Sequence, residues 1–204
     1  MKRGVRQLRI VGGLWRGRRI GFQDEPGLRP TPDRVRETLF NWLAPHIAGM
    51  RALDLYAGSG ALGFEALSRG ASEAVMIDNR ASVVQTLRDT AATLNAGGDS
   101  DRRAHIERAD ALSFLDRAAA QSPVAPFDLV FVDPPFDANL VSPTITRLHA
   151  RGLLAPGGFC YVETPRQQPL PPLPPGWAVH RSGTAGEVGY HLLHGPPRNL
   201  PGDV

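Results

Sequence analysis

The chain has 204 residues, 42% of them apolar, a formal net charge of +3 and a single cysteine. That length supports one α/β core with a small appendage and argues against two full domains, and one cysteine excludes an intrachain disulfide framework. No apolar run approaches the ~18 residues of a membrane span, and the N-terminus lacks the apolar stretch of a signal peptide, so a soluble, cytoplasmic, monomeric protein is expected.

The charge is unevenly placed. From Met1 to Arg36 ten basic residues stand against three acidic ones, a net +7, and the rest of the chain is net −4. A basic arm on a slightly acidic body suits a polyanionic partner; a solvated charged terminus is the alternative. Gln7–Val11 and Leu14–Ile20 alternate around Gly12-Gly13, the pattern of a β-hairpin with a tight glycine turn and arginines on one face. Arg9, Arg16, Arg18 and Arg19 are its candidate contacts. Residues 27–32 are extended, because each proline restrains the residue before it. Thr31 is placed to cap a helix with Pro32 at its first position. From Pro32 to Ala44, three- and four-residue spacing sets Val35, Leu39, Trp42 and Leu43 on one face. Arg29, Thr31, Arg34 and Arg36 then stand at the junction of arm and body, as a phosphate site or as surface charges paired with Asp33 and Glu37.

Ala52–Leu55 reads as a short buried strand running through Tyr56-Ala57-Gly58-Ser59-Gly60 into a helix that starts at Ala61. Gly58 and Gly60 let the backbone turn and approach a ligand, Gly63 lets the helix sit close to the strand, and the opening N–H groups favour negative charge. Asp54, Ala57, Gly58 and Gly60 are therefore candidate cofactor residues. A second strand, Ala74–Asp78, ends in a carboxylate twenty positions after Gly58, where a doubly wound fold puts the acid that binds ribose hydroxyls. The alternative for Asp78 is a cap for the helix Ala81–Asn95. A strand at His105–Glu107 leads to Asp110, which either accepts from an adenine amino group or caps the helix that runs to Ala120.

A strand Asp128–Val132 ends in Asp133-Pro134-Pro135-Phe136. A helix from Ala138 to Ala150, a turn at Leu154–Gly158 and a strand Phe159–Glu163 follow, with Cys160 as a core residue. Six prolines fall between Pro165 and Gly176, a stiff surface loop. Trp177–His180 and Val188–His194 form a closing strand pair, and residues 195–204 a frayed tail. Strands alternating with helices through short connections give a doubly wound, Rossmann-like α/β sheet, mostly parallel, with an antiparallel closing hairpin. The expected organisation is a basic hairpin arm at 1–30, a catalytic domain at 31–194 and a tail.

The glycine spacing suits NAD(P) and S-adenosylmethionine equally, so the second site decides. Hydride transfer has no use for a strand ending in Asp-Pro-Pro-Phe, whereas methylation of an amino group does. The Asp133 carboxylate and the Pro134 carbonyl can accept both hydrogens of an exocyclic amine and localise its lone pair. Neither proline has an N–H, which keeps the turn stiff and rich in acceptors, and Phe136 is placed to stack on a base.

Residues 9–18, Leu28 to Leu43, the glycine loop and Val132-Asp133-Pro134-Pro135-Phe136 together resemble the bacterial small-subunit ribosomal RNA guanine-N2 methyltransferase family, over about residues 7 to 194. The family often carries Glu where Asp78 stands. The resemblance implies methyl transfer from S-adenosylmethionine to the N2 of one guanine in 16S ribosomal RNA, within a partly or fully assembled small subunit. It implies Asp133, Pro134, Pro135 and Phe136 as catalytic residues and Asp54, Ala57, Gly58, Gly60, Asp78 and Asp110 as cofactor residues. Arg9, Arg16, Arg18, Arg19, Arg29, Thr31 and Arg34 would contact RNA, with no metal. An adenine-N6 or DNA amino-methyltransferase, an NAD(P)-dependent oxidoreductase and a non-catalytic RNA-binding assembly factor are the other readings.

Overall fold

The computed structural model describes residues 5–23, 31–95, 102–120 and 125–196. The chain divides into two compact units, residues 1–110 and 111–204.

In the first unit, β1 (Val5–Arg9) and β2 (Arg19–Gln23) pair antiparallel with Arg9 opposite Arg19. Helix α1 (Asp33–Leu43) follows, then β3 (Arg51–Asp54), α2 (Ala61–Ser68), β4 (Glu73–Asp78), α3 (Ala81–Asn95) and β5 (Arg103–Arg108). The last three strands are parallel, with Leu53 beside Val75 and Met76 beside Ile106. Leu53, Ala74, Met76 and Ile77 are fully buried, as apolar strands covered on both faces must be.

The hairpin is present, but Gly12-Gly13 is not its tight turn. Residues 10–18 connect the strands and dock on α2: Leu14 N donates to the Ser68 carbonyl (2.8 Å), Trp15 N to Ser68 Oγ (2.9 Å), and Ser68 Oγ donates to the Gly12 carbonyl. Gly13 has φ +77°, and a Cβ there would fall on the Ser68 carbonyl. The glycines thus serve close approach to a helix, and Ile10, Trp15 and Ile20 are core residues.

Helix α1 buries Val35, Leu39, Phe40 and Leu43, and Trp42 is only half-buried. Thr31 does not cap it. The cap position is Pro32, with no side-chain cap bond, while Thr31 is buried and its carbonyl accepts from Arg36 Nε (3.3 Å). Arg36, expected from sequence either at a phosphate site or as a surface charge, is 0% exposed.

The second unit contains α4 (Ala111–Ala120), β6 (Phe127–Val132), a 3-10 turn at Phe136–Ala138, α5 (Val141–Ala150), β7 (Leu154–Pro165), β8 (Ala178–Ala185) and β9 (Val188–His194). Helix α5 begins later than expected because Asn139 adopts a left-handed conformation (φ 51°). Residues Leu154–Gly158, expected as a turn, belong to β7: its parallel register with β6 jumps from Phe127–Leu154 to Leu129–Phe159, leaving a bulge that contains Gly157 at φ 75°. Strand β9 pairs antiparallel with both β7 and β8, and the β8 register shifts between Val179 and Arg181. Cys160 is 0% exposed, and burial pushes its thiol far above the usual range, as befits an inert core residue.

The strands hydrogen-bond into the two-stranded sheet β1-β2 and a mostly parallel seven-stranded sheet ordered β5-β4-β3-β6-β7-β9-β8, closed by the antiparallel β8-β9 hairpin. Among the described residues no helix is long and apolar enough to cross a membrane.

Candidate active site

The loop after β3 is fixed by its neighbours in the first unit. Asp54 is 2% exposed, and its Oδ2 accepts the Gly63 N–H (3.1 Å), holding the first turn of α2 against the strand end. Burial raises its pKa from 3.8 to about 7, opposed by the Gly63 and Tyr56 N–H groups and reinforced by the charge of Asp78. Ala57 N donates to the Ile77 carbonyl (2.9 Å), Gly58 N to Asp78 Oδ2 (3.1 Å) and Gly60 N to the Ala57 carbonyl (2.7 Å). Gly58 and Gly60 have φ of 51° and 76°. A Cβ on Gly63 would lie 2.7 Å from Met76 Sδ, so the close seating of α2 on β4 requires glycine there. The Ala109 N–H donates to the Asp78 carbonyl (3.1 Å), which brings exposed Asp110 beside the end of β4. Asp54, Ala57, Gly58, Gly60, Asp78 and Asp110 thus converge at the carboxyl ends of β3, β4 and β5, where open α/β sheets bind ligands.

Asp78 is also engaged by a residue that the sequence reading passed over. Arg80 N and Nε bind its Oδ1 (2.9 and 3.0 Å) and Arg80 Nη2 binds its Oδ2 (2.9 Å). The signal was the i to i+2 spacing of a carboxylate that turns back on its own backbone.

The arm residues separate into two groups. Arg9, Arg16, Arg19 and Arg34 are exposed; Arg9 pairs with Asp33 (3.1 Å), and Arg19 donates to Gln7 (3.3 Å) across the hairpin. Arg18 instead donates to the Thr93 and Leu94 carbonyls (2.7 and 3.0 Å), fastening the arm to the last turn of α3. Thr31 is buried, so its side chain is not a surface phosphate contact. Arg29 lies outside the described residues.

The junction expected to hold phosphate contains a buried ionic cluster. Glu65, in the middle of α2 and 0% exposed, accepts from Val11 N (2.8 Å), Arg69 Nε (2.7 Å) and Arg36 Nη1 (3.4 Å). Arg36 also donates to Asp33 and to the Arg9 carbonyl (3.0 Å). Glu65 could have been found from sequence: a carboxylate within the apolar run Ala61–Leu67 must be paired when its helix is buried on all sides.

In the second unit β6 delivers Asp133-Pro134-Pro135-Phe136. Asp133 is half-buried, Pro134 buried, Pro135 exposed and Phe136 40% exposed, an aromatic ring open to a partner. Tyr161 OH donates to Glu163 Oε1 (2.7 Å), both residues being buried. Burial, then the charges of Glu163 and Asp133, hold the Tyr161 phenol well above its usual range. The sequence reading passed over this pair, although the i, i+2 spacing on a strand puts both on one face.

The loop suits a cofactor bearing ribose hydroxyls and an amino group. Carboxylates stand at the end of β4 (Asp78) and after β5 (Asp110), and the left-handed glycines leave the backbone bare at the strand ends. With the sheet order and the antiparallel closing hairpin, these features define an S-adenosylmethionine-dependent methyltransferase of Rossmann-like fold. A family model described as Conserved hypothetical protein 95 matches residues 8–194. The Ribosomal RNA small subunit methyltransferase D of Escherichia coli K12 is 48% identical over 93% of this chain and 90% of its own length. The protein of that name from Haemophilus influenzae is 41% identical over 91% and 93%. The solved structure of yhhF from Escherichia coli superimposes with a TM-score of 0.79 at 45% identity, covering 95% of this chain and all of that one. The chain belongs to the family of ribosomal RNA small subunit methyltransferase D.

Proposed function

We propose that the chain transfers a methyl group from S-adenosylmethionine to the exocyclic N2 of a specific guanine in 16S ribosomal RNA. The reading rests on the turn Asp133-Pro134-Pro135-Phe136, and the names of the relatives support the RNA substrate. A guanine N2 is a poor nucleophile because its lone pair is delocalised into the ring. The Asp133 carboxylate and the Pro134 carbonyl accept its two hydrogens and favour a tetrahedral nitrogen. Phe136 stacks on the extruded base, a contact worth roughly 1–3 kcal/mol. Asp78, Asp110 and the glycine loop hold the cofactor, whose sulfonium supplies an already activated methyl group. No strong base is needed, since the amine becomes acidic as it is methylated. The exposed arginines Arg9, Arg16, Arg19 and Arg34 hold RNA phosphates. The protein acts in the cytoplasm as a monomer, on a partly or fully assembled small subunit.

Incubation of naked 16S RNA, small subunits and DNA with labelled S-adenosylmethionine, followed by digestion to nucleosides, tests this reading. N2-methylguanosine is the expected product; label in 6-methyladenosine or in DNA refutes it. Asp133→Ala should lower kcat and kcat/KM together by roughly 10²–10³-fold, with cofactor affinity within a few-fold of wild type. Equal loss of cofactor binding would place Asp133 in the cofactor site instead.

A further inference from the structure

Strand β4 ends in Asp78, and a bend at Asn79 leads through Arg80 into α3. The Asp78 carboxylate is crowded there. Its Oδ1 accepts from Arg80 N (2.9 Å) and Arg80 Nε (3.0 Å), and its Oδ2 accepts from Arg80 Nη2 (2.9 Å) and Gly58 N (3.1 Å). An ionised carboxylate has about four lone-pair sites, so these four bonds match its capacity. The Asp78 side chain is 5% exposed against 34% for Arg80, which makes the guanidinium the outer member of the pair.

The four bonds are of two kinds. Gly58 N and Arg80 N belong to the backbone: the glycine loop sets the first, and the second is the bond an aspartate makes to the amide two residues on. The fold fixes both. Nε and Nη2 instead end a long, partly exposed side chain, and rotation of that side chain withdraws both donors while the backbone stays in place. Their withdrawal opens one acceptor site on Oδ1 and one on Oδ2. A ribose presents hydroxyls on two adjacent carbons, one for each oxygen. Guanidinium and ribose together would ask more of the carboxylate than the roughly four bonds it can accept. The arginine also has an electrostatic task, because Asp78 weighs on the buried carboxyl of Asp54 and the guanidinium offsets that charge.

We propose that Arg80 and the ribose of the cofactor compete for Asp78. The cofactor displaces the guanidinium fork, two hydroxyl bonds replace two N–H bonds, and the backbone bonds from Gly58 and Arg80 remain. The proposal rests on the reading of Asp78 as a cofactor residue. Arg80 then lowers cofactor affinity, because only molecules with the fork released are competent to bind.

Calorimetric titration of the full chain with S-adenosylhomocysteine, the demethylated cofactor, tests this. Arg80→Ala should bind it roughly 5- to 30-fold more tightly than wild type, since no forked, charge-assisted pair has to be broken. Should that variant fail to melt cooperatively, Arg80→Gln serves; it lacks the charged fork and should gain to within about threefold of the same value. In an Asp78→Asn background the gain from Arg80→Ala should fall below about twofold, because the group competed for has been altered. Unchanged affinity in the folded Arg80 variant overturns the proposal, and so does weaker affinity, which would mean that the fork positions Asp78 for the ribose. A gain that persists in full beside Asp78→Asn also overturns it, since Arg80 would then act elsewhere. Failure of the underlying reading looks different: adding Asp78→Asn to Arg80→Ala would leave the affinity where it was.

Discussion

Replacing Glu65 by Gln perturbs the fold where the arm meets the cofactor helix. The Glu65 and Arg36 side chains are 0% and 1% exposed, so neither charge is solvated by water. The amide can still accept from Val11 N, but Arg36 is left with Asp33, 44% exposed, as its anionic partner. Breaking a buried ion pair from one side costs about 3–5 kcal/mol, and the retained hydrogen bond puts Glu65→Gln at the low end, near 3 kcal/mol. For a chain of this size that is a fall in Tm of about 6–12 °C. Thermal unfolding followed by circular dichroism reads it directly, and the Val11 amide, which donates to Glu65 at 2.8 Å, should exchange faster with solvent. In a double-mutant cycle, Arg36→Met with Glu65→Gln should cost less than the sum of the two changes, because each alone strands a charge. A fall in Tm under about 2 °C, or strict additivity, would show that the cluster is no buried ionic lock.

Asp54, whose pKa is raised from 3.8 to about 7, contributes stability that is present below pH 3.8 and lost as the pH rises through 7. Relative to Asp54→Asn, wild-type stability should therefore decline by about 4 kcal/mol across that window in urea titrations; a constant difference would contradict the shift. Removing three exposed arginines, Arg16, Arg19 and Arg34, should flatten the slope of log K against log salt for RNA binding by about 2. Cofactor titration should be unchanged, and an unaltered salt slope would make these residues mere surface charge.

Local pattern carried much of this in the sequence. The strand, glycine loop and helix at 51–68 could be read because three short-range signals agree there: apolar residues, left-handed glycines and a helical run. The helix Ala81–Asn95 and the strand Val188–His194 lie where expected, with periodic patterns and clear stops. What could not be read depends on distant partners. Gly12-Gly13 has the composition of a turn, yet it serves a helix more than fifty residues away. Arg36 looks like surface charge until Glu65 arrives from α2, and Thr31 looks like a cap until that same arginine claims its carbonyl. At the site, the Asp133 turn was legible because its chemistry is contiguous. A cavity beside that turn was not, because its walls come from three segments that are separate in sequence.

The two outermost strands of the large sheet also shape how the molecule behaves in a crowded solution. An unpaired strand edge is a template for another chain's strand, and an open sheet has two such edges. At one of them β5 carries Arg103, His105, Glu107 and Arg108, all exposed, so an incoming strand would have to desolvate alternating charges. At the other, β8 carries exposed His180 and Arg181, and its ladder is broken between Val179 and Arg181 beside the exposed apolar Val179. A kink at that point denies a regular row of backbone donors and acceptors to a would-be neighbour. Resistance to strand-by-strand self-association is thus written into both of these edge strands.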